Sequence, residues 1–179
     1  MARRGGRVGG APCRALPPPP RRATYTAMKR IPPSALVLGL AGLLPFLWGG
    51  ATAVPLLLDY APALPILPTL TGTDLLAAYG TIILGFMAGV IWGFAARDGG
   101  PFMPAGLVLS VLPPLWIFFF SAQPDGTQLL ALIAGFTGLL AIDHTCARRG
   151  LAPEWWMPLR LILTSVVVFC LAIGAAFAP

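Results

Sequence analysis

Residues 77–93 read AAYGTIILGFMAGVIWG, an apolar run in which every fourth residue is small. Residues i and i+4 lie one above the other on an α-helix, so these small residues form one row: Ala77, Thr81, Gly85, Gly89 and Gly93. Helices in lipid associate where small side chains let two backbones approach closely. We therefore predict that this row, flanked by Trp92, is a helix-packing surface. We expect the protein's own helices to occupy it; the alternative is that another protein docks there.

The composition indicates a membrane protein. Of 179 residues, 57% are hydrophobic and 10% are charged, against roughly 25% charged residues in soluble domains. A spanning helix needs about 20 apolar residues. The apolar runs predict an all-α, five-helix transmembrane bundle over residues 31–179, with no soluble domain and with spans at about 34–51, 74–96, 104–120, 127–146 and 156–177.

The first 30 residues form a basic segment of a different kind. They contain eight Lys and Arg residues, no acidic residue and the run Pro17–Pro20, so we expect residues 1–30 to be a disordered tail. Either the tail is an organelle presequence or the true start is Met28, with the upstream part an over-extended reading frame. Residues 51–53 (ATA) resemble a signal-peptidase site, so cleavage there is a further alternative.

The basic residues predict the orientation. With alternating spans, the tail and the loops carrying Arg97, Arg148 and Arg149 lie on one side. The charged residues on the other side are all acidic. Lys and Arg concentrate in cytoplasmic loops, so we predict that the N-terminus is inside and the C-terminus outside.

Two charged residues lie within predicted spans at the same end of the bundle. Arg160 follows the pair Trp155 and Trp156, which we expect to anchor the fifth span at the membrane interface. Asp143 lies about one turn inside the fourth span. Since an intramembrane charge needs a partner or access to the surface, we predict an Asp143–Arg160 ion pair; the alternative is that each faces the headgroups alone.

Prolines predict irregular helices in two spans. Pro45 should kink the first span by freeing a carbonyl. Pro113 and Pro114 should break the third span, and such breaks line substrate sites in some transporters, although a packing kink is the alternative. Tyr79, Trp92 and Trp116 are candidates to line a pocket for a flat hydrophobic ligand, or else simply pack at the lipid surface.

No enzyme signature is present. The chain has no GxSxG, HExxH or phosphate-loop motif, and its three cysteines have no CxxC spacing. His144 beside Asp143 is more typical of an interfacial polar residue than of a proton-transfer pair. The sequence predicts no cofactor, no metal and no nucleic-acid partner. The lipid bilayer is the expected environment, with other membrane proteins or a hydrophobic ligand as candidate partners.

Four segments carry a family resemblance: LGLAGLLPFL (38–47), AYGTIILGFMAGVIWGFA (78–95), SVLPPLW (110–116) and WWMPLRLILTSVVV (155–168). In this order they resemble the membrane family called domain of unknown function 3429, which includes the transmembrane-protein-69-like proteins. The resemblance implies a small multi-span protein of the bacterial inner (cell) membrane, with the mitochondrial inner membrane as the alternative, and no particular reaction. The hypothesis is a non-enzymatic accessory or assembly component of membrane complexes; the alternative is a binder or carrier of a hydrophobic small molecule or lipid.

Overall fold

The structure, a computed structural model, describes residues 30–55 and 72–178. Over these ranges it is helical, with α1 (Pro33–Ala41), α2 (Leu44–Ala53), α3 (Gly72–Asp98), α4 (Met103–Phe120), α5 (Asp125–Arg148) and α6 (Trp156–Phe177). Taking α1 and α2 together, five helical segments are long and apolar enough to cross a membrane. This confirms the all-α, five-span prediction. The predicted tail before Arg30, with its alternative start at Met28, lies outside the described residues.

The first span is divided by a turn at Gly42 and Leu43. Pro45 lies in the first turn of α2, where the N–H that proline lacks would have no helical partner in any case. The carbonyl of Gly42 at this turn accepts a hydrogen bond from the Tyr79 hydroxyl, at 3.1 Å. The irregularity predicted at Pro45 is thus a turn between two short helices, stabilised from α3.

Helix α3 is central, since it contacts α2, α4, α5 and α6. Its pairing with α5 is reciprocal, because each helix places a leucine against a glycine of the other. A β-carbon at Gly135 would lie 2.8 Å from Cδ2 of Leu84, and one at Gly80 would lie 2.9 Å from Cδ1 of Leu132. The absence of a side chain at both glycines lets the two leucines lie directly against the facing helix.

The predicted small-residue row is not the packing face of α3. Ala77 is buried, but a β-carbon at Gly85, Gly89 or Gly93 would meet no atom of the described chain within 4 Å. Each four-residue step turns about 40° around an α-helix, so five such positions sweep about 160° and cannot all face one neighbour. Within the described residues, the protein's own helices do not fill the row at these three glycines, contrary to the prediction.

The buried face of α3 follows a different spacing. It comprises the residues Gly72, Leu76, Ala77, Gly80, Leu84, Ala88, Ile91 and Ala95. Each preceding four-residue step advances the side-chain direction by about 40° around the helix. The three-residue step from Ala88 to Ile91 moves that direction back by about 60°. Trp92, the predicted flank of the packing row, is half exposed because it follows Ile91 by about 100° around the helix.

Helix α4 runs without interruption through Pro113 and Pro114. The break predicted there is wrong. Two successive prolines remove only the hydrogen bonds to the carbonyls of Leu109 and Ser110, and the turns on either side maintain the helical geometry. The Ser110 hydroxyl donates to the carbonyl of Leu107, at 2.7 Å, so it does not replace either lost bond.

Candidate functional site

The most distinctive polar feature lies between α5 and α6, near the end where α6 begins. Arg160 donates from Nε to Oδ2 of Asp143 at 2.7 Å, and the two side chains are 4% and 1% exposed. Trp156 donates from its indole Nε1 to the other carboxylate oxygen, Oδ1, at 2.9 Å. The structure thus brings the predicted ion pair together and adds a third residue to it.

Burial of this pair is possible because each charge has a neutralising partner. An unpaired charge inside a protein costs several kcal/mol, whereas a pair with good geometry offsets much of that cost. Trp156 also packs edge-on against Phe94 of α3, with ring centroids 5.5 Å apart, so α3 covers the cluster. The Asp143–Arg160–Trp156 cluster therefore joins three of the spans.

The two predicted interface tryptophans have different surroundings. The N–H of Trp156 is used inside the protein, on Asp143, and is not directed at headgroups. Trp155 packs edge-on against Trp156, at 6.0 Å between centroids. Anchoring of this end at the membrane interface stays a prediction.

Two polar atoms beside the cluster have no hydrogen-bond partner within the described chain. They are Nη2 of Arg160 and Oγ1 of Thr164, and both are buried. Thr164 is unusual among the hydroxyl residues of these helices. The hydroxyls of Thr81, Thr137, Thr145 and Ser165 each donate to the carbonyl four residues earlier, the usual arrangement in an apolar helix.

Arg160 and Thr164 both line a cavity of about 190 Å³. Arg160 and Thr164 supply its charged and hydroxyl groups, and the rest of the lining is apolar or glycine: Leu38, Gly39, Gly42, Leu43, Phe46, Ile83, Phe86, Met87, Phe136, Leu163 and Val167. Leu38 and Phe86 are largely exposed, so the cavity reaches the outer surface between α1 and α3.

A second, larger cavity of about 300 Å³ is a groove between α4 and α5, lined by Leu112, Pro113, Trp116, Ala134, Gly135, Gly138, Leu139 and Ile142. The indole N–H of Trp116 donates to the carbonyl of Ala131, at 2.9 Å, so the groove presents apolar surface. Of the three aromatic residues predicted to share a pocket, only Trp116 lines this one. Tyr79 bonds to Gly42, and Trp92 faces outward.

His144 does not join Asp143 in a proton-transfer pair, because it is exposed while Asp143 is buried toward α6. In residues 30–55 and 72–178 no three His, Cys, Asp or Glu side chains are grouped so that they could hold a metal ion. Cys146 and Cys170 are buried free thiols. The arrangement offers hydrogen-bond donors beside a cavity.

Thr164 was not among the residues predicted to belong to this site. The signal that could have found it is its position four residues after Arg160, which places the two side chains on one face of a helix. No comparable signal indicated that the indole N–H of Trp156 donates to Asp143, since a tryptophan at the start of a span is ordinarily an interface residue.

Comparison with known proteins supports the same architecture. The family model described as Protein of unknown function (DUF3429) matches residues 31–176. Transmembrane protein 69 of Xenopus tropicalis is 34% identical over 156 residues, which are 84% of this chain and 56% of that protein. Transmembrane protein 69 of Mus musculus is 31% identical over 157 residues, which are 86% of this chain and 60% of that protein.

The chain spans less than two thirds of the length of these curated relatives. No solved structure matches it significantly. The family match covers all five spans and confirms the resemblance found in the sequence. The chain is a multi-pass membrane protein and belongs to the family of proteins of unknown function DUF3429.

Proposed function

We propose that this protein is a non-enzymatic accessory component of membrane complexes, which docks a transmembrane helix of another membrane protein on the outer face of α3. One observation carries the proposal: Gly85, Gly89 and Gly93 lie on the outside of the bundle with nothing opposite them in the described structure. An exposed row of glycines allows a second backbone to approach closely, which is a principal source of helix association in lipid.

The residues beside the glycines suit such a contact. Phe86 is 68% exposed and Trp92 is 50% exposed, and both are on α3 within one turn of Gly89. Large side chains beside a smooth row form a ridge and a groove, the shape into which a partner helix packs. Since the interior of the bundle is filled without this row, a partner could occupy it without disturbing the fold.

The orientation belongs to the proposal as well. We place the N-terminus inside, in a bacterial inner membrane or, alternatively, a mitochondrial inner membrane. The guanidinium of Arg97, in the last turn of α3, donates to the carbonyl of Leu151, between α5 and α6, at 2.9 Å. The end of α3 and the loop between α5 and α6 are therefore at one end of the bundle, as the positive-inside argument requires. Labelling of a cysteine placed at Arg148 by a membrane-impermeant reagent from outside would contradict the orientation.

The docking proposal can be tested with two matched variants, Gly89→Leu and Gly138→Leu. Both glycines are exposed and have open space where a β-carbon would be added, so neither change should disturb the fold. A photo-crosslinking residue in place of Phe86 supplies the readout in native membranes. We expect crosslinks to one heterologous membrane protein in the wild type and in Gly138→Leu, and their loss in Gly89→Leu, where the isobutyl group fills the groove.

Crosslinking to lipid alone, or crosslinks that persist in Gly89→Leu, would contradict docking on this face. Crosslinks only between two copies of this chain would replace the accessory role by self-association. The unfolding midpoint of each variant in detergent is the control for folding, and it should equal that of the wild type.

A second candidate function, binding of a hydrophobic small molecule or lipid, is favoured by the groove between α4 and α5. The lining of this groove is apolar. Its volume, about 300 Å³, is at the lower limit of the range for ligand pockets, roughly 300–1,000 Å³. Gly138 lies in this groove, so Gly138→Leu should abolish retention of a co-purifying lipid while leaving the crosslinks at α3 intact. Retention of the lipid by Gly138→Leu, with crosslinks at α3 lost only in Gly89→Leu, would favour the docking role.

A further inference from the structure

We infer that the cavity beside Arg160 is a binding site for an amphipathic molecule of the bilayer, whose uncharged oxygen acceptor is held by Arg160 Nη2 and Thr164 Oγ1. The site lies away from the outer glycines of α3 and from the groove between α4 and α5. The inference goes beyond the functions proposed above and depends on neither.

The unpartnered donors carry the argument. Arg160 is 3% exposed and Thr164 is 4% exposed, yet each has a polar atom without a partner in the described chain. Buried N–H and O–H groups in folded proteins are nearly always hydrogen-bonded, because leaving one unmade destabilises the fold. The two residues that carry these atoms line one cavity, which points to an acceptor supplied from outside the chain.

The two donors are placed to act together. Arg160 and Thr164 are four residues apart on α6, so the two residues lie on one face of the helix, and their Cα atoms are about 6 Å apart along its axis. Both residues line the same cavity, and its other walls are apolar side chains and glycines. A ligand that fits this lining has one polar end and a hydrocarbon remainder.

The charge of the cluster favours a neutral acceptor. Asp143 already balances Arg160 through a 2.7 Å contact, so the pair carries no net charge. A carboxylate or phosphate entering the cavity would add a second buried negative charge with no counter-ion, which is costly. An ester, ketone or quinone carbonyl accepts the same two hydrogen bonds without that cost.

The size of the cavity assigns the ligand to the membrane. Its volume, about 190 Å³, is below the usual range of roughly 300–1,000 Å³ for a whole drug-sized ligand. Leu38 on α1 and Phe86 on α3 are 73% and 68% exposed, and they mark where the cavity reaches the surface of the bundle. The polar end can therefore lie inside while the rest of the molecule stays in the surrounding hydrocarbon.

The test uses the purified full-length chain in an alkyl maltoside, a detergent without a carbonyl group. Four probes are added separately and binding is followed by native mass spectrometry: methyl oleate, oleate, octadecene and decyl-benzoquinone. The first three differ mainly in the head, which is a neutral ester, an anion or no acceptor. Methyl oleate represents a lipid ester, and decyl-benzoquinone represents a quinone.

The variant Thr164→Val removes the hydroxyl at nearly constant shape, and Thr137→Val is its matched control, since Thr137 is exposed and its hydroxyl is bonded to Ile133. We expect one molecule of methyl oleate or decyl-benzoquinone per chain, bound more tightly than oleate or octadecene. Thr164→Val should weaken this binding by roughly fivefold to tenfold, the loss of about one hydrogen bond, and Thr137→Val should not change it.

Whichever neutral probe binds identifies the source of the acceptor. Tightest binding of oleate would overturn the neutral-acceptor inference. Failure of every probe to bind, or equal binding to Thr164→Val, would overturn the site itself and indicate that water occupies the cavity. Thr164→Val should also raise the thermal stability of the ligand-free protein, because an apolar side chain there leaves no hydroxyl unsatisfied; a lowered stability would mean that the hydroxyl serves the fold alone.

Discussion

Helix α3 presents two faces with similar residues and opposite surroundings. On the inner face, Gly80 lies against Leu132 of α5, and a β-carbon there would lie 2.9 Å from Cδ1 of that leucine. On the outer face, Gly89 is equally small and meets nothing within 4 Å in the described structure. A glycine in a membrane helix therefore does not indicate by itself which neighbour it packs against. A leucine pointing at Gly80 makes it a packing position, and Gly89 has no such leucine.

The two faces also differ in how completely their contacts are made. Toward the interior, α3 packs on α2, α4, α5 and α6, and Phe94 covers the Asp143–Arg160–Trp156 cluster through Trp156. Toward the outside, aromatic and glycine residues lie side by side without a partner in the part of the chain that is described. Substitutions on the inner side should therefore change stability, and those on the outer side should leave the isolated protein unchanged.

The largest effect on the inner side is expected from Asp143→Ala. Removing the carboxylate leaves the guanidinium of Arg160, 3% exposed, without a counter-ion, and breaking one partner of a buried pair costs about 3–5 kcal/mol. The indole N–H of Trp156 loses its acceptor too. Unfolding in mixed micelles with increasing dodecyl sulfate, followed by far-UV circular dichroism, would measure the change.

The double variant Asp143→Leu with Arg160→Met is the control for this prediction. It replaces both charges by apolar groups of similar size, which is often neutral or stabilising. We expect it to recover most of the stability that Asp143→Ala loses. A loss below about 1 kcal/mol in Asp143→Ala would mean that water or headgroups reach Arg160 and that the cluster is not buried.

An intermediate effect is expected from Gly106→Ala in α4. The new β-carbon would lie 2.6 Å from the β-carbon of Ala95 on α3, and neither atom can rotate away. The two helices must move apart, and such overpacking costs about 1–3 kcal/mol. The control is Gly138→Ala in α5, where a β-carbon meets no atom of the described chain within 4 Å. Equal stabilities of the two variants would contradict the close approach of α3 and α4.

The contrast between the two faces also explains what the sequence could predict. Five spans and their bounds follow from length and apolar composition, because the bilayer imposes both. The Asp143–Arg160 pair was predictable because an intramembrane charge has few alternatives to a partner. These constraints come from the membrane, which acts on every residue in the same way.

The packing face of α3 could not be predicted in the same way. Inner and outer residues are equally apolar, so hydrophobicity does not distinguish neighbour helices from lipid. The row from Ala77 to Gly93 was regular in sequence but winds around the helix. The true face depends on where Leu132 of α5 lies, and no local pattern contains that information. For the same reason the cavity beside Thr164, built by five helices, had no local signature.

The smallest effect is expected from Gly89→Ala on the outer face of α3. With open space around the new methyl group, the only change in the isolated protein is the higher helix propensity of alanine, worth up to about 1 kcal/mol in a helix interior. We expect the unfolding free energy in detergent, under conditions where light scattering gives a monomer, to stay equal or rise by that amount. A decrease in the monomer would mean that another part of the same chain covers Gly89, and the contrast between the faces would fail. If the unfolding free energy falls only in the native membrane and not in the monomer, the methyl group displaces a neighbour that only the membrane supplies. The measurement therefore separates a face that meets lipid from a face that meets protein.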